Sequence, residues 1–202
     1  MYIPIINQWS DHDEMLDFIE RFSFGTLITS ALEVPTATHL PILVSEKDQT
    51  IVLNSHFARA NSHWKDIENH HILVIFQEPH AYISPKNYDK PLNVPTWNYL
   101  SVHCYGRGKI IHDEVETLSI IEKTIYKYEP EYLDQWKQLP ENYKTAMLKG
   151  IVAFEIYVNE VQAKKKLSQN KTYQERQNII HSLRERGDDQ GQNIAEYMQA
   201  LS

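Results

Sequence analysis

The sequence contains very little cysteine and no long apolar run. Its 202 residues include a single cysteine, Cys104, which excludes an internal disulfide framework and fits a reducing compartment. No apolar stretch approaches the roughly 20 residues that a membrane helix needs. Residues 1–4 show no basic segment leading into an apolar one, so we expect no signal peptide. These absences favour a cytoplasmic protein without a membrane-spanning segment.

Signatures of several enzyme classes are also missing. The chain has no Gly-rich dinucleotide fingerprint and no phosphate loop, and neither His-Glu-x-x-His nor Cys-x-x-Cys occurs. Ser84 and Ser168 lack the surroundings of a nucleophile elbow. Ten histidines are present, but the neighbours His70 and His71 point to opposite faces if they lie in a strand. We therefore expect no metal site and assign no catalytic residue.

The charge balance is acidic, with 20 Lys and Arg against 27 Asp and Glu and a formal net charge of −7. An acidic chain gains nothing overall from DNA phosphates, so duplex binding requires a local basic patch. The most basic stretch is Lys164-Lys165-Lys166, and no helix-turn-helix pattern accompanies it. Direct DNA binding stays possible, but the sequence does not support it.

Apolar periodicity predicts a strand-rich centre with helices around it. A first helix is expected between a cap at Ser10 and a stop at Gly25. Further helices are expected at 59–68, 114–128, 131–137, 141–149 and 171–186, and a last one contains Ile194, Met198 and Leu201. Strands are expected at 26–32, 36–44, 50–54, 71–76, 97–111 and 151–158, with a hairpin turn at 46–49, a long loop at 81–95 and a linker at 187–192. This order predicts an antiparallel sheet or barrel with peripheral helices.

Four polar clusters stand at the ends or edges of apolar runs. They are Ala37-Thr38-His39-Leu40-Pro41, Ser55-His56-Phe57-Ala58-Arg59-Ala60-Asn61, Val94-Pro95-Thr96-Trp97-Asn98-Tyr99 and Lys166-Leu167-Ser168-Gln169-Asn170. Together they supply hydrogen-bonding groups, cations and flat rings. Such a mixture suits a planar, phosphorylated ligand that brings its own chemistry, which the protein then holds and tunes.

Each cluster also has a plainer interpretation. Arg59 has the fork geometry for two phosphate oxygens, but on sequence alone a solvated Arg59 beside a helix cap at Asn61 is the favoured alternative. Lys166 ends the basic run Lys164-Lys165-Lys166, which leads toward a helix start where an anion is stabilised, yet most charge runs are simply solvated. Trp97 suits ring stacking or packing equally well, and a lone strand histidine such as His39 is usually structural.

The clusters, in this order, resemble one family. The motifs are Met1-Tyr2-Ile3-Pro4, Ala37-Thr38-His39-Leu40-Pro41, His56-Phe57-Ala58-Arg59-Ala60-Asn61, Ala81-Tyr82-Ile83-Ser84-Pro85, Pro95-Thr96-Trp97-Asn98-Tyr99 and Lys166-Leu167-Ser168-Gln169-Asn170. They are similar to those of the PaiB-like FMN-binding negative transcriptional regulators of protease synthesis and sporulation, from Met1 to about Leu183. The chain departs from the family pattern at Glu78, where the family tends to carry Gly, and at 84–88, which lack the usual Ser-Trp before Tyr.

The resemblance implies a mainly β, antiparallel split barrel of the pyridoxamine-phosphate-oxidase type, and a homodimer with FMN at the subunit interface. The implied division is a split-barrel domain at 1–160, with a helical insertion at about 114–149, and a basic segment with helices at 161–202 packed on the barrel. A flavin-dependent sensor acting in repression is the implied function, and a flavin-dependent oxidoreductase is the alternative.

The resemblance also implies cofactor contacts. Thr38 and His39 would touch the isoalloxazine edge, and the ribityl and phosphate oxygens would be held by Ser55, His56, Arg59 and Asn61. The neighbouring subunit would contribute one of two further sets: either Trp97 and Asn98, or the segment 166–170 with Lys166, Gln169 and Asn170.

Overall fold

The computed structural model describes residues 1–31 and 33–201. They divide into two compact units. Unit 1 consists of residues 1–17, 76–103 and the segment from 162 onward, and unit 2 consists of residues 18–75 and 104–161. Two positions in the predicted segments, Leu32 in a strand and Ser202 in the C-terminal region, lie outside the described residues.

The described residues contain eight strands, and these form one sheet. The strands are β1 Phe24–Ala31, β2 Val34–Pro41, β3 Leu43–Lys47, β4 Thr50–Ala58, β5 Ile72–Phe76, β6 His80–Ile83, β7 Thr96–Ile110 and β8 Ile151–Lys166. Neighbours follow the order β2-β1-β5-β7-β8-β4-β3, and β6 pairs with β7. The pairs β1–β2, β1–β5, β3–β4, β4–β8 and β6–β7 are all antiparallel. The predicted mainly β, antiparallel architecture is therefore confirmed.

Alternation along the strands sets which side chains enter the core. In β7 the apolar Leu100, Val102 and Cys104 are fully buried, whereas Trp97 is half exposed. Burial raises the pKa of the Cys104 thiol to about 12, because the thiolate is disfavoured away from water. Cys104 is thus a small apolar core residue.

Six helices of the described chain accompany the sheet: α1 His12–Arg21, α2 Glu114–Tyr128, α3 Tyr132–Gln138, α4 Glu141–Lys149, α5 Tyr173–Arg186 and α6 Asp189–Ala200. Short 3₁₀ helices span Ile5–Asn7, Ser62–Asp66 and Pro85–Asn87. At the start of α5, Thr172 and Glu175 bond reciprocally as a capping box, and Gly187 ends α5 at φ 71°. Within the described segments, no helix combines the length and the apolar character needed to cross a membrane.

Several predicted boundaries are wrong. Asp11 rather than Ser10 caps α1, because the Glu14 N–H donates to Asp11 Oδ1 at 2.9 Å. Gly25 lies inside β1, the predicted helix at 59–68 is only the 3₁₀ helix Ser62–Asp66, and most of the predicted linker at 187–192 belongs to α6. The predicted strand at 36–44 is two strands, β2 and β3. The predicted loop at 81–95 begins within β6, and β8 continues to Lys166.

Two glycines of β7 allow close approach in unit 2. A Cβ atom at Gly106 would lie 2.4 Å from the Tyr157 carbonyl oxygen, and one at Gly108 would lie 2.4 Å from Ile67 Cγ2. Side-chain carbons do not tolerate such distances. Glycine is required at both positions because a neighbouring main chain or side chain lies in contact with them.

Candidate functional site

The predicted residues of β2 and of the end of β4 meet around a histidine in unit 2. Asn61 caps the 3₁₀ helix Ser62–Asp66, and its Oδ1 accepts the His63 backbone N–H at 3.1 Å. The Asn61 amide then donates to Thr38 Oγ1 at 3.2 Å, and Thr38 Oγ1 lies 2.8 Å from His63 Nδ1. Thr38 and Asn61, 23 residues apart, are thereby brought into one hydrogen-bonded group.

The other side of the His63 ring is also occupied. Its Nε2 lies 2.9 Å from Thr29 Oγ1, and the Thr29 hydroxyl donates to Asp66 Oδ2 at 3.1 Å. His63 is 3% exposed and its ring centroid lies 5.5 Å from that of Phe57. Burial lowers the pKa of His63, although the Asp66 carboxylate acts in the opposite direction. These five hydrogen-bonded residues, Thr29, Thr38, Asn61, His63 and Asp66, are named the His63 cluster.

Three other predicted residues of β2 and β4 have separate surroundings. His39 is exposed, its Nδ1 lies 2.9 Å from Thr26 Oγ1, and its ring stacks on Phe24 at 6.4 Å. Ser55 is buried, and its hydroxyl donates to the Pro41 carbonyl at 2.6 Å. Burial lowers the pKa of the half-buried His56 imidazole. Contacts of these three residues with a cofactor stay predictions.

Arg59 follows β4 and holds the main chain between α4 and β8. Its Nε donates to the Lys149 carbonyl and one terminal nitrogen donates to the Ile151 carbonyl, each at 2.7 Å. These bonds use two of its five N–H donors. Arg59 also lines a cavity of about 190 Å³ together with Lys149, His112 and Glu114. Arg59 therefore keeps donors free at a small cavity whose other walls are mostly apolar, and a phosphate contact there stays a prediction.

In unit 1, Trp97 and Asn98 point to opposite faces of β7. The Trp97 ring is half exposed and lies 5.9 Å from each of the rings of Tyr82 and His80. The Asn98 side chain is fully buried. It accepts a hydrogen bond from Ser168 Oγ at 3.1 Å and places its amide nitrogen 3.4 Å from the Met198 sulfur. Asn98 therefore anchors the turn that follows β8.

Lys166 ends β8 and carries an ammonium held by neutral oxygens. Its Nζ donates to Thr96 Oγ1 and, at 2.8 Å, to the Trp97 carbonyl. Among residues 1–31 and 33–201, Lys166 forms no ion pair with a carboxylate. Burial lowers the pKa of Lys166, and the nearby Lys164 ammonium acts in the same direction.

The turn after Lys166 closes on its own side chains. Gln169 accepts the Leu167 N–H at 2.7 Å and donates to the Lys165 carbonyl at 2.6 Å, and Ser168 has φ 58°. A cavity of about 440 Å³ lies beside this turn. We name it the Lys166 pocket; its polar walls include Asn98, Lys166, Ser168, Gln169, Asn170 and Lys171.

Several residues of these sites do not stand out in the sequence. His63, Thr29 and Asp66 were not assigned to a site, although the spacing of His63 and Asp66 places them one 3₁₀ turn apart. Lys149 and His112 beside Arg59 were missed as well. Glu78, the departure from the family pattern, accepts a hydrogen bond from Gln190 at 2.5 Å. In the described part of the chain, no group of three His, Cys, Asp or Glu side chains is arranged to hold a metal ion.

Comparison with known sequences places the geometry in context. The model of a family described as "Putative FMN-binding domain" matches residues 1–160. The chain is 38% identical over 205 residues to "Protease synthase and sporulation protein PAI 2" of Bacillus subtilis (strain 168), and 98% of this chain and 97% of that protein are covered. It is 26% identical over 239 residues to the uncharacterized protein AN0679 of Emericella nidulans, with 96% and 95% covered.

Solved structures share the fold at low sequence identity. The flavocytochrome Anf3 from Azotobacter vinelandii matches with a TM-score of 0.61 at 15% identity, covering 77% of this chain and 67% of that one. The FAD and heme binding protein from Mycobacterium smegmatis matches with a TM-score of 0.61 at 11% identity, covering 79% and 73%. These likenesses confirm the predicted split-barrel fold class.

Proposed function

This chain belongs to the family of FMN-binding domains whose model it matches over residues 1–160, and from that premise we propose that it binds FMN. The observation that carries the proposal is the cavity beside Arg59. Arg59 lines it with a guanidinium that keeps N–H donors free, and the charged lining residues Arg59, Lys149 and Glu114 sum to a net positive charge. A phosphate monoester requires such a positive balance and a forked donor.

The other polar groups fit the remaining parts of the cofactor. Thr38 and Asn61 offer hydrogen-bonding groups for a ring edge, and we propose His39, Ser55 and His56 as further contacts on β2 and β4. The Lys166 pocket presents an ammonium and amides suited to a heterocycle edge. We propose that Trp97, Lys166, Gln169 and Asn170 contact the cofactor of a partner subunit, whereas the buried Asn98 holds the turn behind them. Bound FMN would supply one- and two-electron chemistry, and the protein would hold and tune it.

We further propose a homodimer. Support comes from an aromatic group that β6 and β7 expose in unit 1: Trp97 is 51% exposed and Tyr82 is 45% exposed. Exposed apolar side chains that cluster into one patch mark interaction surfaces, whereas single ones do not, and Trp97 and Tyr82 lie side by side. Replacing Trp97 with Ser should shift the mass in solution from dimer to monomer, as light scattering would show. An unchanged mass would remove this group from the interface.

We propose that the protein acts as a flavin-dependent regulator of protease production and sporulation, and that it works in the cytoplasm. The relative from Bacillus subtilis carries that role in its name and aligns over nearly all of both chains. Repression through direct DNA contact has little support, because the basic run is engaged in unit 1. Lys165 pairs with Glu14 at 2.5 Å, and Lys164 is buried with its Nζ on the Tyr2 carbonyl.

A visible absorption spectrum tests the cofactor proposal directly. Protein as isolated, or after addition of FMN and removal of the excess, should show flavin absorbance at about one equivalent per chain. Fluorescence quenching of added FMN would give the affinity. No retained flavin and no quenching at micromolar protein would refute FMN binding. A reporter fused to a protease promoter, compared with and without the gene, then tests the regulatory role.

A flavin-dependent oxidoreductase is the second candidate. It is favoured by His39, whose exposed imidazole is held through Nδ1 by Thr26 and leaves Nε2 open for a proton. Steady-state oxidation of a reduced nicotinamide that requires FMN would separate an enzyme from a sensor. Loss of that turnover in His39→Asn, with FMN affinity retained, would assign His39 a role in proton transfer.

A further inference from the structure

We propose that Asp66 fixes the direction of a hydrogen-bond chain through Thr29 and His63, so that the Thr38 hydroxyl meets a ligand as an acceptor. The chain runs entirely within the His63 cluster. The proton order is independent of the cofactor, whereas the ligand contact rests on the proposed FMN binding.

The first step is set by the carboxylate. An ionised Asp66 can only accept hydrogen bonds, and its Oδ2 lies 3.1 Å from Thr29 Oγ1. The single hydroxyl proton of Thr29 must therefore point to Asp66. Thr29 is 1% exposed, so solvent offers its hydroxyl no alternative acceptor.

The second step fixes the tautomer of His63. Because the Thr29 hydroxyl proton is used in the bond to Asp66, Thr29 Oγ1 can only accept a hydrogen bond from His63 Nε2, which lies 2.9 Å away. His63 is buried against Phe57 with its backbone N–H on Asn61, and Asp66 is the charged group of the cluster. A neutral imidazole has one N–H. With Nε2 protonated, Nδ1 carries a lone pair, and Thr38 at 2.8 Å must donate to it.

The third step concerns the hydrogen-bonding capacity that the Thr38 hydroxyl retains for a ligand. Asn61 Oδ1 accepts the His63 backbone N–H, which fixes the orientation of the amide and turns Nδ2 toward Thr38 Oγ1. The Thr38 oxygen thus gives its proton to His63 and one lone pair to Asn61. A hydroxyl has two acceptor lone pairs, so one lone pair remains.

The Thr38 hydroxyl can therefore accept a hydrogen bond from a ligand but cannot donate one to it. Thr38 is only half buried, so a ligand can reach its hydroxyl. An acceptor-only hydroxyl binds a ring N–H and gains nothing from a ring carbonyl or an unprotonated ring nitrogen. The ligand class it selects is a heterocycle that turns an N–H edge toward β2. His63 acts here as a positioning residue, since it sets the role of Thr38 without touching the ligand.

The test begins with the FMN-free protein. Long-range ¹H–¹⁵N correlation of histidine side chains at neutral pH should show His63 with Nε2 protonated and Nδ1 bare. Asp66→Leu removes the acceptor, so the Thr29 proton turns to Nε2 and the Nδ1–H tautomer should appear. Asp134→Leu, at a side chain that is 90% exposed, serves as the control and should leave the Nε2–H tautomer. An Nδ1–H tautomer in the native protein, or no change in Asp66→Leu, would overturn the proton order.

A second measurement tests the ligand contact. Thr38→Val should weaken FMN binding by about 2- to 12-fold, the range of one neutral hydrogen bond, and Thr38→Ser should retain the native affinity. Equal affinity of the valine and serine variants would overturn the contact while leaving the proton order intact. If the native protein and both variants fail to bind FMN, the proposed cofactor is wrong, and the tautomer result still decides the first part.

Discussion

The polar groups of the His63 cluster and of the Lys166 pocket are satisfied in different ways. In the cluster, hydroxyls, an amide and an imidazole satisfy one another, and a carboxylate at one end orders them. In the pocket, the Lys166 ammonium rests on a hydroxyl and a carbonyl, with no carboxylate paired to it in the described chain. The first arrangement is preorganised, whereas the second holds a positive charge that an anionic or electron-rich ligand would compensate. This difference separates a group that orients a ligand from one that attracts it.

Removing the apolar support of the cluster should have the largest effect. Phe57 is fully buried between the rings of His63 and Phe154, at 5.5 and 4.9 Å. Phe57→Ala should lower the free energy of unfolding by about 3–5 kcal/mol, because it leaves a cavity. Phe24→Ala, at a side chain that is 70% exposed, is the matched control in urea titrations. Similar losses in both variants would show that the cluster is not built on a packed core.

Loss of Arg59 should weaken cofactor binding without unfolding the chain. Arg59→Ala should reduce FMN affinity by roughly 1.5–3 kcal/mol if it makes a charge-assisted phosphate bond. Arg107→Ala, which removes an exposed guanidinium near His71, should leave the affinity unchanged. Titration calorimetry would compare the two. Native affinity in Arg59→Ala would assign this side chain to the carbonyls of Lys149 and Ile151 alone.

Substitutions at Ser168, in the turn beside the Lys166 pocket, should cause a smaller loss of stability. Ser168 occupies the left-handed region at φ 58° and donates to the buried Asn98. Ser168→Ala should cost about 1 kcal/mol of unfolding free energy through the lost hydrogen bond. Ser168→Gly loses the same bond but gains back part of the roughly 1–2 kcal/mol of left-handed strain. Thermal unfolding should therefore rank glycine above alanine, and the reverse order would contradict the assigned backbone conformation.

The smallest expected effect is a change in the free energy of unfolding with pH. Burial lowers the pKa of Lys166 below 10.5, so between the folded pKa and 10.5 the unfolded chain binds more protons than the folded one. Stability then rises with pH in that window. Lys166→Met removes this contribution, and the free energies of unfolding of wild type and variant should diverge in favour of the wild type as the pH approaches 10.5. Parallel curves would mean that the ammonium is well solvated.

Local signals in the sequence predicted the local parts of the fold. The ends of α2 and α4 and the capping box of α5 follow from caps and apolar spacing, and β7 follows from its alternation. The strand β6 was missed because four residues carry little periodicity. The strand β8 continues through the polar Asn159 and Glu160 to Lys166, a length that local propensity does not encode.

The candidate site was predictable only in part for the same reason. Thr38 and Asn61 stood out as polar residues at strand ends, and both belong to one cluster. Their joint partner His63 did not stand out, because its role depends on β1, β2 and the 3₁₀ helix converging from distant parts of the sequence. The carbonyls that Arg59 bonds come from residues about 90 positions away. Contacts between distant segments therefore carry the information that the sequence analysis lacked.

The close approach at Gly106 limits how this family member can diverge. With the Tyr157 carbonyl only 2.4 Å from where any Cβ would stand, even alanine would push two main chains apart. A saturation library at this position, selected for soluble expression, should return glycine almost alone. The neighbouring exposed Arg107 should accept many residues. Sequence changes can therefore accumulate at the ligand-facing edges, whereas the close contact between β7 and β8 at position 106 requires glycine.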